Sequence, residues 1–140
     1  MIPRQMSDIV RNQNPLSFPE SASVQQACRA MRDRRVGAVL VTGASGELVG
    51  IFTGRDAVCR VVGEGLNPTL TTLAEVMTRE PDRMPPGKTA IDALRMMRDG
   101  GYRHLPVVDG DKIVGIVSSG DFRGLEQARL DEETGLWERI

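Results

Sequence analysis

The sequence contains few of the residues that most often carry chemistry. Its 140 residues include one histidine, His104, and two cysteines, Cys28 and Cys59. The cysteines form neither a CxxC pair nor a metal-ligand spacing, and each falls on the apolar side of a predicted helix, so we expect two buried, reduced thiols. A histidine with no evident nucleophile beside it does not make a catalytic base, and we expect His104 to pack or to lie at a pocket edge.

The residue sets that define an enzyme are missing as well. The sequence offers no metal-ligand cluster, no Ser–His–Asp or Cys–His set with supporting motifs, and no glycine-rich phosphate loop. It therefore predicts no catalytic residue, no metal site, no obligatory cofactor and no enzymatic activity.

Neither an excess of one charge nor a long apolar run occurs. The chain carries 18 Lys and Arg residues against 19 Asp and Glu residues, so its charge gives no indication of a nucleic-acid partner. No apolar stretch reaches the length of a signal peptide or of a membrane-spanning helix. The sequence predicts a cytoplasmic protein without a nucleic-acid or membrane partner.

What the sequence does contain is an internal repeat. A shift of 66 residues aligns identical residues from Val10 with Val76 through to Val41 with Val107. After the glycine-rich turn "TGASGE" the shift becomes 65, and "GIFTGRD" (50–56) then meets "GIVSSGD" (115–121). Because turns tolerate insertions, the change of one residue does not disturb the repeat. We infer two copies, at about 6–66 and 72–128, joined by "GEGLNPTLTT".

Each copy has the same predicted elements: an extended lead-in ("PLSFP" or "PDRMP"), a helix, two strands and a second helix. A cap at Ser23 or Thr89 opens the first helix. Its apolar positions follow at i, i+3, i+4 and i+7, namely Val24, Ala27, Cys28 and Met31, and Ala90, Ala93, Leu94 and Met97. The strands are "VGAVLV" and "LVGIF" in copy one, and "HLPVV" and "IVGIV" in copy two. The second helix begins at Asp56 or Asp121 and continues through "AVCRVV" or "FRGLEQA".

These residues resemble the cystathionine-β-synthase (CBS) domain in its tandem form, a stand-alone pair called a Bateman module. The features that carry the resemblance are "RHLPVVDG" (103–110), "EVMTREP" (75–81) and the two stretches that end at Asp56 and Asp121. The resemblance implies an α/β (α+β) fold of tandem βαββα repeats that form an intramolecular pseudo-two-fold pair. It divides the chain into repeat 1 (1–66), a linker (67–71), repeat 2 (72–128) and a C-terminal tail (129–140). Copy one departs from the pattern with Leu40 in place of Pro106 and Gly43 in place of Asp109.

The hydroxyl and carboxylate that recur three residues apart are the candidate binding groups. Thr53 with Asp56, and Ser118 with Asp121, end a strand and begin a helix. A hydroxyl and a carboxylate suit the two hydroxyls of a ribose, and a neighbouring arginine suits a phosphate. The alternative is that the aspartates only cap their helices and that the hydroxyls only end strands.

The resemblance implies sensing of AMP, ADP, ATP or an NAD-like dinucleotide in clefts to which both repeats contribute. The first site would contain Thr53, Arg55, Asp56, Arg83, Met84, Tyr102, Arg103 and Pro106. The second site would contain Ser118, Asp121, Leu16, Ser17, Phe18, Val36, Gly37 and Ala38. Arg103 is the repeat equivalent of Gly37, so the first site gains a guanidinium that the second lacks. A charged hydrogen bond contributes about 1.5–3 kcal/mol against about 1 for a neutral one, so we expect the first site to prefer a phosphorylated ligand.

We therefore expect a regulatory or sensor module whose ligand state is transmitted through association. The alternative is a structural dimerisation module without a ligand. The resemblance implies a homodimer formed through the helices, and we expect Met31, Met96, Met97, Val58 and Val61 to contribute to its face. We also expect a separate protein partner, and we expect Trp137 to dock on the chain or on a second subunit.

Overall fold

The computed structural model describes residues 4–11 and 13–122. In chain order it contains α1 (Met6–Ile9), β1 (Ser17–Pro19), α2 (Val24–Arg34), β2 (Ala38–Thr42), β3 (Leu48–Thr53), α3 (Gly54–Asp56), a π-helix (Ala57–Val62), α4 (Leu73–Val76), β4 (Thr78–Arg79), α5 (Ala90–Gly100), β5 (His104–Asp109), β6 (Lys112–Ser118) and a 3-10 helix (Ser119–Asp121). The predicted mixed fold of tandem repeats is confirmed. The continuation of the second helix through "FRGLEQA" beyond Phe122, Trp137 and the tail 129–140 lie outside the described residues.

The main helix of each repeat forms where the apolar spacing predicts it. Three of the four predicted positions of α2 are buried, and Cys28 is half-buried. All four predicted positions of α5 are buried, together with Ile91. Each helix opens on a reciprocal capping box, in which the Ser23 or Thr89 hydroxyl accepts from the backbone of Gln26 or Asp92.

The described chain divides into two compact units, and each unit contains a short segment that belongs to the other sequence repeat. The first unit comprises residues 14–81, and the second combines residues 82–122 with residues 4–11 and 13. The first unit therefore keeps α4 and β4, which precede the second repeat's main helix, whereas the second unit takes α1 from the start of the chain. The predicted repeat boundaries and the linker at 67–71 stay a prediction from sequence similarity.

A four-stranded sheet, in the order β1-β2-β3-β4, forms the first unit with α2 packed against it. β1 runs parallel to β2, and the other two pairs are antiparallel. The segment 67–71 is held at the start of α2, where the amides of Val24 and Gln25 donate to the carbonyls of Thr71 (2.9 Å) and Pro68 (3.0 Å). These bonds satisfy two of the donors that the first turn of a helix leaves free.

The sheet of the second unit is the hairpin of β5 and β6. A tight turn at Gly110, whose φ is 61°, connects the two strands. Met84 extends this hairpin, because its amide donates to the Pro106 carbonyl and its carbonyl accepts from Val108, both at 3.0 Å. The core contains Met6, Val10, Met84, Ala90, Ala93, Leu94, Met97, Leu105, Val107, Val117 and Phe122.

The prediction of two buried cysteines is wrong for Cys59, which is exposed. The segment 57–62 is a π-helix, and its wider i→i+5 turn changes which positions face the core. Val61 is the buried residue of this helix, while Val58 and Val62 are 63% and 74% exposed. Both cysteines are free thiols, and burial raises the pKa of Cys28.

The expected dimer face is also partly wrong. Met31, Met97 and Val61 are 7%, 2% and 2% exposed, and they belong to the cores of their own units. Of the residues named for that face, Val58 is exposed and Met96 is partly buried against the core.

Candidate ligand-binding site

Thr53 and Asp56 form a reciprocal pair at the end of β3. The Asp56 amide donates to Thr53 Oγ1 at 3.2 Å, and the Thr53 amide donates to Asp56 Oδ2 at 2.9 Å. The second carboxylate oxygen, Oδ1, lies 3.6 Å from Nε of Arg60, and the Asp56 side chain is 13% exposed. The local backbone thus occupies one carboxylate oxygen and leaves the other beside a guanidinium.

Ser118 and Asp121 repeat this arrangement at the end of β6. The Ser118 amide donates to Asp121 Oδ2 at 2.7 Å, and the Ser118 hydroxyl donates to the same oxygen at 3.4 Å. Asp121 is exposed, whereas Asp56 is only partly exposed. The two pairs share the hydrogen bond from the hydroxyl residue's amide to the carboxylate, but the second pair is the more open of the two.

The same reciprocal box also opens other helices of the chain. It occurs at Ser23 with Gln26, at Thr72 with Glu75 and at Thr89 with Asp92. A hydroxyl three residues before an acceptor is therefore a general capping device in this protein. The pair alone does not define a ligand site, and the capping alternative describes the local geometry that is present.

The position of the two pairs in the sheet is what separates them from the other boxes. In the first unit the Gly54 amide donates to the Gly37 carbonyl at 3.0 Å, and in the second the Ser119 amide donates to the Arg103 carbonyl at 2.9 Å. Each bond joins the residue after the hydroxyl to the residue just before the first hairpin strand. Each pair is consequently placed beside a strand start, where other predicted site residues also lie.

The first unit contains Thr53, Arg55 and Asp56 of the first predicted site. It also contains the residues on and beside β1 and β2 that were predicted for the second site. Leu16 and Phe18 pack partly against the core, and Ser17 between them is exposed. The start of β2 changes from exposed to buried along the chain, with Val36 at 42% and Ala38 at 6% exposure.

The second unit contains Ser118 and Asp121 of the second predicted site. It also contains the remaining residues that were predicted for the first site. Arg83 and Arg103 are exposed, while Met84 and Pro106 are buried and share a backbone hydrogen bond. Each predicted site therefore takes residues from both units, and that combination stays a prediction.

Tyr102 is held by a partner that the sequence analysis missed. Its hydroxyl donates to Asp82 Oδ2 at 2.8 Å, across 20 residues of sequence. Burial, the hydrogen bond to Asp82 and the negative charges of Asp82 and Asp99 all raise the pKa of Tyr102. No local sequence signal links the two residues, since the lead-in that carries Asp82 meets Tyr102 only in the folded unit.

His104 follows Arg103 and pairs across the hairpin with Ser118. Burial lowers the pKa of His104, the nearby Asp121 carboxylate opposes that shift, and Arg103 adds to it. The side chain is half-buried, in agreement with the predicted packing or pocket-edge position.

The glycines of the repeated stretches serve close packing. A Cβ on Gly50 would lie 2.5 Å from Met77 Sδ, and one on Gly115 would lie 2.7 Å from Val10 Cβ. Met77 follows α4 and Val10 follows α1. In each unit, the segment that comes from the other repeat therefore packs closely against the equivalent glycine. Gln13 strengthens the second contact, because its Oε1 accepts from the Ile116 amide at 2.9 Å.

Residues 4–11 and 13–122 contain neither a membrane-spanning helix nor a metal-binding cluster. No helix there combines the length and the apolar content that a membrane crossing requires. No group of three or more His, Cys, Asp and Glu side chains is placed to ligate a metal ion.

The fold and the paired boxes define a class of proteins built from two tandem α+β repeats, with a hydroxyl–carboxylate pair at equivalent strand ends. A family profile for the CBS domain matches residues 6–63 and 73–126. The chain therefore belongs to the CBS domain family, of which it contains a tandem pair.

Relatives of known sequence and structure agree with this assignment. A CBS domain-containing protein of Arabidopsis thaliana is 41% identical over 108 residues, which are 77% of this chain and 19% of that protein. The chain thus spans about a fifth of the length of that relative. The crystal structure of a CBS-domain protein from Agrobacterium tumefaciens is 28% identical, with a TM-score of 0.79 over 91% of this chain and 95% of that one. A CBS domain protein from Pyrobaculum aerophilum, complexed with AMP, has the same TM-score at 22% identity, and the likeness covers 91% of this chain and 98% of that one.

Proposed function

We propose that this CBS-domain pair is a regulatory module that binds an adenosine nucleotide, either AMP, ADP, ATP or an NAD-like dinucleotide. In this proposal the ligand state changes how the chain associates with a second copy or with a separate protein. The hydroxyl–carboxylate pairs Thr53–Asp56 and Ser118–Asp121 contact the ribose, and exposed arginines contact the phosphate.

The observation that carries the proposal is the placement of two equivalent pairs beside equivalent strand starts. Beside each pair, a backbone hydrogen bond joins the end of the hairpin to the start of its first strand. These bonds run from the Gly54 amide to the Gly37 carbonyl and from the Ser119 amide to the Arg103 carbonyl. A carboxylate accepts about four hydrogen bonds, and the local amide takes one of them. Two vicinal hydroxyls can therefore be accepted without breaking the cap.

The choice of an adenosine nucleotide rests on similarity. The Pyrobaculum protein, which has the same fold, is complexed with AMP. AMP is consequently the first ligand to test, followed by ADP, ATP, NAD and S-adenosylmethionine.

Asp56→Asn and Asp121→Asn are the variants that test the ribose contact. Asparagine keeps one oxygen that can accept the Thr53 or Ser118 amide, so the cap is retained while the charge and one acceptor are lost. Asp92→Asn is the matched control, because Asp92 forms the same box with Thr89 at the start of α5. Calorimetric titration with AMP is expected to show binding that weakens about tenfold or more in one or both test variants.

The proposed nucleotide function would be refuted if millimolar AMP, ADP, ATP, NAD and S-adenosylmethionine all left the melting midpoint of the wild-type chain unchanged. A ligand that binds only the folded state must raise that midpoint. An equal loss of binding in Asp92→Asn would show that the boxes act through stability and not through contact.

The second candidate function is association without a ligand, and it has its own support. Large exposed hydrophobic side chains of the described residues are concentrated in the first unit, where Val58, Val62, Leu66 and Leu70 are 63%, 74%, 43% and 79% exposed. Light scattering behind a sizing column, with and without AMP, separates the two candidates. Association alone is favoured if Val62→Asp dissociates a dimer whose mass and melting midpoint do not change when nucleotides are added.

A further inference from the structure

Arg60 joins the first hydroxyl–carboxylate pair to the end of a neighbouring helix. It lies four residues after Asp56, and its Nε is 3.6 Å from Asp56 Oδ1. Its Nη1 donates to the carbonyls of Val76 and Met77, at 3.1 and 3.2 Å. Val76 is the last residue of α4, and the last carbonyls of a helix have no partner within that helix. One guanidinium therefore contacts both the Asp56 carboxylate and the carbonyl end of α4.

The segment 73–79, which contains α4 and β4, reaches the same pair by a second route. β4 forms an antiparallel ladder with β3, and β3 ends at Thr53. The segment is thus connected to the hydroxyl through β3 and to the carboxylate through Arg60. It also lies at the end of the first unit, and the chain continues into the second unit from Asp82.

The burial of the contact suits a residue that positions the carboxylate. The Asp56 side chain is 13% exposed, and that of Arg60 is 49% exposed. A charge shielded from water is costly unless it is paired, so the guanidinium stabilises the ionised Asp56. The Thr53 amide donates to Oδ2, and Arg60 lies beside Oδ1. Because a carboxylate oxygen offers two lone pairs, Oδ1 can be oriented by Arg60 and still accept a ribose hydroxyl.

The second repeat has a different residue at the position of Arg60. With the shift of 65 residues, the equivalent is Leu125, whose side chain has neither a charge nor a hydrogen-bond donor. Asp121, the equivalent of Asp56, is exposed. A guanidinium four residues after the carboxylate is thus a property of the first repeat.

We propose that Arg60 is a positioning residue that couples the Asp56 carboxylate to the segment 73–79, so that a nucleotide at the first site steadies this segment. The inference rests on the nucleotide-binding function proposed above. A ribose bound to Asp56 fixes the carboxylate, and through Arg60 it also fixes the carbonyl end of α4. Because such coupling is reciprocal, loss of the link must weaken nucleotide binding by the same factor.

Amide hydrogen exchange followed by NMR, with and without saturating AMP, measures this coupling. The Met77 amide, which donates to the Leu73 carbonyl at 2.8 Å, reports on the end of α4. The Ala27 amide, which donates to the Ser23 carbonyl at 3.2 Å, is the reference in α2 of the same unit. An ion pair of this exposure contributes up to about 1 kcal/mol, so we expect AMP to slow the exchange of Met77 about fivefold more than that of Ala27.

Arg60→Leu, which gives the first repeat the residue of the second, is the test variant. We expect it to lose the extra slowing by AMP and to bind AMP about fivefold more weakly in calorimetry. Arg60→Lys keeps the charge without the planar fork and should retain part of both effects. A residue with a structural role alone would change the exchange rate of Met77 equally with and without AMP.

Arg79→Gln is the matched control. Arg79 also donates to a carbonyl of α4, that of Ala74 at 3.4 Å, but its carboxylate partner is Glu20. The control should speed the exchange of Met77 and keep the extra slowing by AMP. The inference is overturned if AMP binds the wild-type chain without this extra slowing, or if Arg60→Leu keeps it.

A measurement without ligand keeps the inference separate from the nucleotide proposal. If no nucleotide binds the wild-type chain, the function proposed above fails, and the link is then judged from Asp56→Asn, Arg60→Leu and the double variant. Non-additive effects of the two substitutions on the exchange of Met77 support the coupling of Asp56 to α4. Additive effects overturn it.

Discussion

The carbonyl of Gly37 accepts a hydrogen bond from the amide of Gly54 at 3.0 Å, and this bond joins the start of one strand to the end of the next. The equivalent bond in the second unit runs from the Ser119 amide to the Arg103 carbonyl at 2.9 Å. Duplication has therefore preserved a backbone junction beside each hydroxyl–carboxylate pair, while the side chains around the junction have diverged.

Substitution of Gly115 tests the packing of the exchanged segment α1. A Cβ at this position would lie 2.7 Å from Val10 Cβ and 2.6 Å from Gln13 Oε1. We expect Gly115→Ala to lower the free energy of unfolding by about 1–3 kcal/mol, which is typical of overpacking. Urea denaturation measures the change, and Gly87→Ala is the control because nothing lies within 4 Å of its added Cβ. Equal stability of the two variants would contradict the close contact.

Arg35 ends α2 with a left-handed φ of 54°, and its equivalent at the end of α5 is Gly101, so a reciprocal exchange of the two residues tests the strain at Arg35. Arg35→Gly should raise the free energy of unfolding by about 1 kcal/mol, because glycine carries no penalty for a left-handed φ. Gly101→Arg should lower it by about the same amount, since the equivalent residue has a φ of 74°. Opposite shifts of the two urea midpoints are the expected result, and shifts of the same sign would refute the assigned strain.

Acid should destabilise the protein through His104, which is its only histidine. Burial lowers the pKa of His104, with Asp121 opposing the shift and Arg103 adding to it. Because the unfolded state then binds more protons than the folded state, the stability falls as the pH drops below about 6.5, the ordinary pKa of histidine. Melting curves between pH 7.5 and 5.5, compared with those of His104→Gln, measure this contribution. If the variant lost stability over this range as steeply as the wild type, His104 would not be responsible.

The hydrogen bond between Tyr102 and Asp82 should stabilise the second unit. Tyr102→Phe removes a 2.8 Å bond and is expected to cost about 1 kcal/mol. Asp82→Asn and the double variant complete a thermodynamic cycle that isolates the pairwise energy. Additive losses in that cycle would mean that the two side chains do not interact.

Local sequence patterns predicted the elements that depend on local physics. The i, i+3, i+4, i+7 spacing from Val24 and from Ala90 placed both main helices, since one apolar face must be buried. The runs "HLPVV" and "IVGIV" predicted the two strands of the second hairpin, which turns at Gly110 with a φ of 61°.

Features that depend on distant parts of the chain were not predicted. The contact of Met77 with Gly50 joins residues far apart in sequence, so the repeat alone gave no sign that the units exchange segments. The exposure of Cys59 follows from a π-helix, whose i→i+5 bonds break the 3.6-residue pattern on which its predicted burial rested. The left-handed conformation of Arg35 could have been suspected from its glycine equivalent, Gly101, once the two repeats were aligned.

In the candidate site, too, the sequence predicted the local features but not those that depend on the fold. The two hydroxyl–carboxylate pairs were recognised from their spacing, and their local bonds are those of capping boxes. Four further boxes in the described chain, three of them with a hydroxyl at the cap, show that spacing cannot separate capping from binding. That distinction depends on the position of each box in the sheet, which a sequence motif does not contain.

A crystal structure of the chain grown with millimolar AMP tests the central claim most directly. The account predicts a bound nucleotide whose ribose hydroxyls lie within hydrogen-bond distance of the Asp56 or Asp121 carboxylate. It is contradicted if the crystals contain no nucleotide, or hold one away from both carboxylates, while Asp56 and Asp121 bond only to the Thr53 and Ser118 amides.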